Sequence, residues 1–183
     1  MNNIKPIILL IPGIALILAI VLFISLLKKT SNRAVFKRFT FIALGLAFLL
    51  NFAWEVVQMP FYKGASFDIQ HIAFCSLASV ADAIMVLLLY FCFALIYKKP
   101  LWVQDLAFSR ILILMFVGGI GAIGAELRHI ASENWAYATS MPIIPVINVG
   151  LSPVLQFMLL PACIYYFSFK MKIKELTSTK PNY

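Results

Sequence analysis

Charge is what this sequence has least of. Asp, Glu, Lys and Arg make up 12% of its 183 residues against 63% hydrophobic ones, and the mean hydropathy is +0.96. A water-soluble domain carries about 25% charged and about 45–50% apolar residues, so that class is excluded. Cysteine is scarce too. Cys75, Cys92 and Cys163 have neither zinc spacing nor the pattern of a disulfide framework, and they read as small hydrophobes within spans. There is no G-x-S-x-G, no H-E-x-x-H, no P-loop, no Asn-x-Ser/Thr acceptor and no lipidation signal. The alternating segments of a membrane β-barrel are missing as well, since runs such as 111–117 are apolar throughout.

Long apolar runs are what remain. Five can be read, at 6–27, about 40–59, 72–97, about 106–125 and about 143–168. Each is long enough to cross a hydrocarbon core of roughly 30 Å at 1.5 Å per residue, and a spanning segment satisfies its own backbone only as a helix. The expectation is an all-α, polytopic integral membrane protein. It forms a single membrane domain over 1–183, ending in a basic cytoplasmic tail at 169–183. The first run exceeds the h-region of a signal peptide, and its charges, Lys28, Lys29 and Arg33, follow it; it reads as an anchor.

Lys and Arg set the orientation. Lys28, Lys29, Arg33, Lys37 and Arg38 follow span one, and Lys98, Lys99 and Arg110 follow span three. The tail carries Lys170, Lys172, Lys174 and Lys180, whereas Lys5, Lys63 and Arg128 alone fall on the other side. This bias places the N-terminus outside and the C-terminus inside. The net charge of +8 then reflects topology and attraction to an anionic leaflet rather than nucleic-acid binding.

The acids have the opposite distribution. Of seven, Asp105 and Glu175 alone are cytoplasmic; Glu55, Asp68, Asp82, Glu126 and Glu133 gather in the outer half with both histidines, His71 and His129. Asp68, Cys75 and Asp82 are spaced by seven, so they share a helix face with Ser79 beside them. Asn51, Glu55 and Gln58 form a second stripe, on span two. Asp82 is expected two to three turns into span three, where a lipid-facing acid costs about 2.5–3.5 kcal/mol. The two stripes are therefore expected to face each other across a polar pocket, or to bond each other for packing.

Two acid-x-x-His pairs, Asp68/His71 and Glu126/His129, suit either metal ligation or helix-end ion pairs. No metal is assigned. Trp54, Tyr62, Trp135 and Tyr137 suit an interfacial aromatic belt or substrate stacking. Gly119–Gly124 matches G-x-G-x-x-G in letters but lies within a span, so it reads as small-residue helix packing. Pro145, Pro153 and Pro161 are expected to bend span five into a pocket wall.

The stretch from Glu126 to Trp135-Ala-Tyr137, followed by Gly150-Leu-Ser-Pro153-Val-Leu-Gln156 and an apolar run to Pro161, resembles the C-terminal signature of the lycopene cyclase-like membrane domain of carotenoid biosynthesis. The resemblance covers about the C-terminal quarter. It implies a small helical membrane domain acting on a long isoprenoid without a soluble redox cofactor, with Glu126 at the family's acid and Trp135 and Tyr137 at its Trp-x-aromatic. Leu155 and Gln156 stand where that family has paired acids, and Gln156 cannot donate a carboxylic proton.

The expected function is an intramembrane enzyme using acid–base chemistry on an apolar isoprenoid or lipid, in the outer half of a cell membrane (a bacterial inner membrane). The reaction type is isomerase-, cyclase- or hydratase-like, with no cofactor. Glu55, Asp82 and Glu126 are the catalytic candidates. Asn51, Trp54, Gln58, Asp68, His71, His129, Glu133, Trp135, Tyr137 and Gln156 are the binding candidates. Two alternatives stand beside it: a small transporter or proton- or ion-conducting protein, and a non-catalytic accessory or immunity-type protein. Span three below Asp82, Ala-Ile-Met-Val-Leu-Leu-Leu, offers no polar step for conduction. A reporter active only in the cytoplasm, fused after Tyr183, is expected to be active; activity confined to a periplasmic reporter would reverse the orientation.

Overall fold

The computed structural model describes residues 10–178, with side chains through residue 171. Lys5, the first residues of span one and Lys180 lie outside the described residues, as do the side chains of Lys172, Lys174 and Glu175. Five helices are long and apolar enough to cross a membrane: α1 (Leu10–Lys29), α2 (Arg33–Gln58), α3 (Ile69–Ile96), α4 (Phe108–Ala131) and α5 (Leu151–Ser178). The chain is therefore an all-α, multi-pass membrane protein. A two-stranded antiparallel hairpin, β1 (Ile143–Ile144) with β2 (Val149–Gly150), leads into α5.

Local chemistry sets the ends of these helices. The Asn32 side chain accepts from the Val35 N–H at 3.1 Å to start α2, and Asp68 caps α3 by accepting from the His71 N–H at 2.9 Å. Pro60 sits in the 3₁₀ turn Met59–Phe61 that closes α2. Residues 30–32 alone separate α1 from α2, so Arg33, Lys37 and Arg38 ride on the first turns of α2 rather than in a loop. Asp82 sits near the middle of α3, thirteen residues from Ile69 or about 20 Å along the axis, because α3 begins at Ile69 rather than at residue 72.

The fifth span begins at Leu151 rather than at residue 143. Pro142 and Pro145 disfavour helix there, and Val146 and Asn148 take left-handed backbone, φ 75° and 53°, to turn the hairpin. Pro153 falls in the first turn of α5, where its missing N–H costs nothing, so among the three prolines Pro161 alone interrupts the helix interior. Pro161 leaves the Phe157 carbonyl without its intrahelical donor. That carbonyl lies directly over Gly118 of α4, where a Cβ would collide with it. The close approach places a backbone C–H of α4 against the freed oxygen. Gly119 and Ala122 also face α5, whereas Gly121 and Gly124 meet nothing within 4 Å. The small-residue stripe is thus a one-sided seam.

In packing order the helices run α1, α3, α2, α5, α4, with α2, α3 and α5 at the centre. Two zones divide that centre. Toward the basic turns it is apolar and aromatic: Trp102 is fully buried among Tyr90, Phe93, Tyr97 and Tyr165, with Arg110 4.5 Å over the Tyr97 ring. Three polar tips there are spent locally, Trp102 Nε1–H on the Tyr90 carbonyl, Tyr90 O–H on that of Pro100 and Tyr165 O–H on that of Val86. Lys99 pairs with Asp105 and holds its carboxyl below the usual carboxylate range. The other end carries the site.

Gly118→Ala is expected to lower stability by about 1–3 kcal/mol through overpacking against backbone, whereas Gly124→Ala is expected to be neutral or slightly stabilising. Detergent unfolding of both variants checks this; equal behaviour would contradict the seam.

Candidate functional site

Gln156 is the centre of a polar knot between α2, α3 and α5. Its side chain is 1% exposed. The amide nitrogen donates to Asn51 Oδ1 (2.8 Å), Asp82 Oδ2 (3.1 Å) and Glu55 Oε1 (3.3 Å), so its two hydrogens are shared among three acceptors. Its carbonyl accepts from Gln58 Nε2 at 3.2 Å, and the same nitrogen donates to Glu55 Oε1 at 2.8 Å. Ser152, one turn above Gln156, donates to Gln58 Oε1 at 2.9 Å and accepts from Trp54 Nε1 at 3.2 Å. Asn51 returns its own amide to the Ala47 carbonyl at 2.7 Å.

Glu55 Oε1 and Asp82 Oδ2 thus share the Gln156 amide nitrogen as donor. Both side chains keep some accessible surface. Cys75 and Ser79 are buried on the same face of α3, and Ser79 O–H is spent on the Cys75 carbonyl at 2.6 Å.

Glu126 forms a second centre. It is 6% exposed, and a single oxygen, Oε2, accepts from Tyr137 O–H at 2.5 Å and Trp135 Nε1–H at 3.3 Å. Both donors come from the connection after α4. That connection is fixed to the end of α2 by short backbone pairing: Lys63 N–H donates to Ala136 and Ala138 N–H to Phe61, each at 2.8 Å. Gly150 sits under this strap because a Cβ would touch Met141 and Tyr137 at about 3 Å. Burial and the Glu126 carboxyl hold the Tyr137 phenol protonated well above its ordinary range, and burial does the same for Tyr62.

The structure thus brings together Asn51, Trp54, Glu55, Gln58, Asp82 and Gln156, and separately Glu126, Trp135 and Tyr137. Three of the aromatics make side-chain hydrogen bonds, Trp54 to Ser152 and Trp135 and Tyr137 to Glu126. The remaining candidates stand apart. Asp68 and His71 lie exposed or half-buried at the start of α3, where His71 Nδ1 meets Asp68 Oδ2 at 2.7 Å; the Ser66 hydroxyl, followed by the two His71 contacts, holds the Asp68 carboxyl below its usual range. Glu133 is exposed with φ 54°. His129 does not join Glu126 but stacks on Trp135 at 4.1 Å and bonds Asn134 at 2.8 Å. Among the described residues no three His, Cys, Asp or Glu groups converge as metal ligands.

Ser152 and Tyr62 belong to this region and had no place in the predicted site. Ser152 was legible as the residue one turn before Gln156 on the same face; the placement of Tyr62 beside Tyr137 depends on a backbone bridge between the two connections and leaves no local signal. No protein-family model, curated protein or solved structure matches this chain.

Gln156→Leu is expected to strip the shared donor from Asn51, Asp82 and Glu55 and to cost about 1–3 kcal/mol or more in detergent unfolding. A stability equal to wild type would mean the knot does not hold the three helices.

Proposed function

We propose that this protein is an intramembrane enzyme that moves protons to and from an apolar lipid or isoprenoid. Glu55 and Asp82 are the proton-holding pair, and Glu126, gripped by two donors, is the carboxylate that accepts. The observation that carries the reading is the arrival of three carboxyl groups from three helices in the half of the bundle away from the basic turns, two of them on one amide and the third under two donors. Glu55 and Asp82 sit against an amide and Glu126 against a phenol and an indole, and distinct surroundings are how neighbouring carboxyls take separate acid and base roles. A polyene or other apolar substrate reaches such a site from the bilayer, and α4, which leans mainly on α5, leaves its other flank toward the lipid.

The resemblance to the lycopene cyclase-like domain favours an isoprenoid, with Gln156 organising the acids instead of supplying the proton. On this reading the reaction is a protonation, isomerisation or hydration that needs no redox cofactor. The Lys and Arg bias favours an outward-facing site in a cell membrane, which we take to be a bacterial inner membrane. The aromatic plug of Trp102, Tyr90 and Tyr165 speaks against a conducting path, since its polar tips are committed to backbone carbonyls.

Membranes from cells making the wild type are expected to differ in their apolar extract from those making Glu55→Gln, Asp82→Asn or Glu126→Gln, with a loss of product of at least tenfold for one or more folded variants. Identical extracts from all four would overturn the assignment, and proton flux into liposomes abolished by Asp82→Asn would replace it with conduction.

A further inference from the structure

Residues 143–150 are apolar enough to belong to a span, yet they form the β1–β2 hairpin at the head of α5. From Met141 to Leu151 the one polar side chain is Asn148, and no Asp, Glu, Lys, Arg or His occurs between Asn134 and Phe169. The hairpin lies against the flank of α4 rather than beyond its end. Val149, fully buried, clusters with Ala122 of α4 and Val154 of α5, and Ile144 and Ile147 pack against that cluster along with Ile123. Ala122 stands six residues, about 9 Å along the axis, on the membrane side of Arg128, the last Lys or Arg of α4. Ile120 and Leu127, a turn to either side of Ile123, are 54% and 45% exposed, so the hairpin is continuous with the lipid-facing surface of a spanning helix.

At the turn of the hairpin Val146 is 96% exposed, and Ile143 beside it is 40% exposed. Val146 also takes φ 75°, left-handed backbone that a β-branched residue rarely adopts and glycine takes freely. The chain itself gives that valine side chain almost no contact, so its apolar surface is matched to something outside. We propose that this hairpin inserts into the headgroup–acyl boundary of the leaflet on the Glu126 side, with Val146 and Ile143 against acyl chains. Its backbone suits that medium. Pro142 and Pro145 bring no N–H, Asn148 N–H donates to the Ile144 carbonyl at 3.1 Å, and Leu151 N–H donates to the Pro142 carbonyl at 2.7 Å. The surface has no charged rim with which a protein partner would register. The base of the hairpin is tied to the site: Gly150 lies under Met141 and the Tyr137 ring, and Tyr137 O–H rests on Glu126 at 2.5 Å. Insertion therefore sets Glu126 at the edge of the acyl phase. The inference holds whether or not Glu126 does acid–base chemistry.

The test is spin-label accessibility on the full chain in liposomes of phosphatidylcholine and phosphatidylglycerol. In a Cys75→Ala, Cys92→Ala, Cys163→Ala background, a nitroxide is placed at Val146→Cys and, as an aqueous reference, at Glu133→Cys, whose native side chain is exposed. The ratio of collisions with dissolved oxygen to collisions with a water-soluble nickel chelate is expected to be several-fold higher at position 146 than at position 133. Equal ratios overturn the insertion in favour of a water-exposed turn. Few collisions with either reagent at position 146 overturn it in favour of a protein contact, such as a second copy of the chain. Should the cysteine-free chain fail to fold, a benzophenone amino acid at position 146 of the otherwise unaltered chain is expected to form phospholipid adducts on irradiation, and the absence of any lipid adduct overturns the proposal.

Discussion

One amide organises this half of the molecule. Gln156 holds acceptors on two other helices, and each buried acceptor left without it would pay the desolvation penalty of an unmet hydrogen bond in a medium without water. The knot fixes α2, α3 and α5 relative to one another at the depth of Asp82. It also explains how an acid near the centre of a spanning helix is tolerated: Asp82 meets the Gln156 amide donor. Among the described residues no buried side-chain nitrogen or oxygen lacks a partner.

The rest of the bundle follows from keeping that knot in place. Below it, Trp102 and the tyrosines fill the space between α3, α5 and the 3₁₀ turn Trp102–Asp105, so the polar end sits on a rigid apolar base. Beside it, Gly118 lets α4 close onto the carbonyl that Pro161 frees on α5, which carries Glu126 on the same rigid pair of helices as Gln156. Above it, the strap between residues 61–63 and 136–138 ties the two long connections together and turns Trp135 and Tyr137 down onto Glu126. Each device is local, and all serve one end of the bundle.

Much of this was legible in the sequence, for definite physical reasons. Bilayer thickness forces apolar runs, so five helices could be counted, and i,i+3/i+4 spacing placed Asn51, Glu55 and Gln58 on one face. Helical period likewise aligned Cys75, Ser79 and Asp82. Contacts between helices carry no such period. Gln156 looked like the loss of an acid, yet it is the hub, and the Val-Gln of span two and the Val-x-Gln of span five contain two residues, Gln58 and Gln156, that bond each other. The start of α5 was misplaced because 143–150 is apolar enough to span while its prolines and left-handed residues make a hairpin. His129 sits three residues from Glu126, as a ligand pair would, but the stacking of Trp135 draws its ring elsewhere.

The central proposal is that the acid knot serves a bound apolar molecule and is not packing alone. Mass spectrometry of the organic extract of the protein purified in mild detergent tests it most directly, with Asp82→Asn purified alongside. A specific lipid or isoprenoid enriched with the wild type and lost from the folded variant is the predicted result. Extracts from both proteins that match bulk membrane lipid would contradict it.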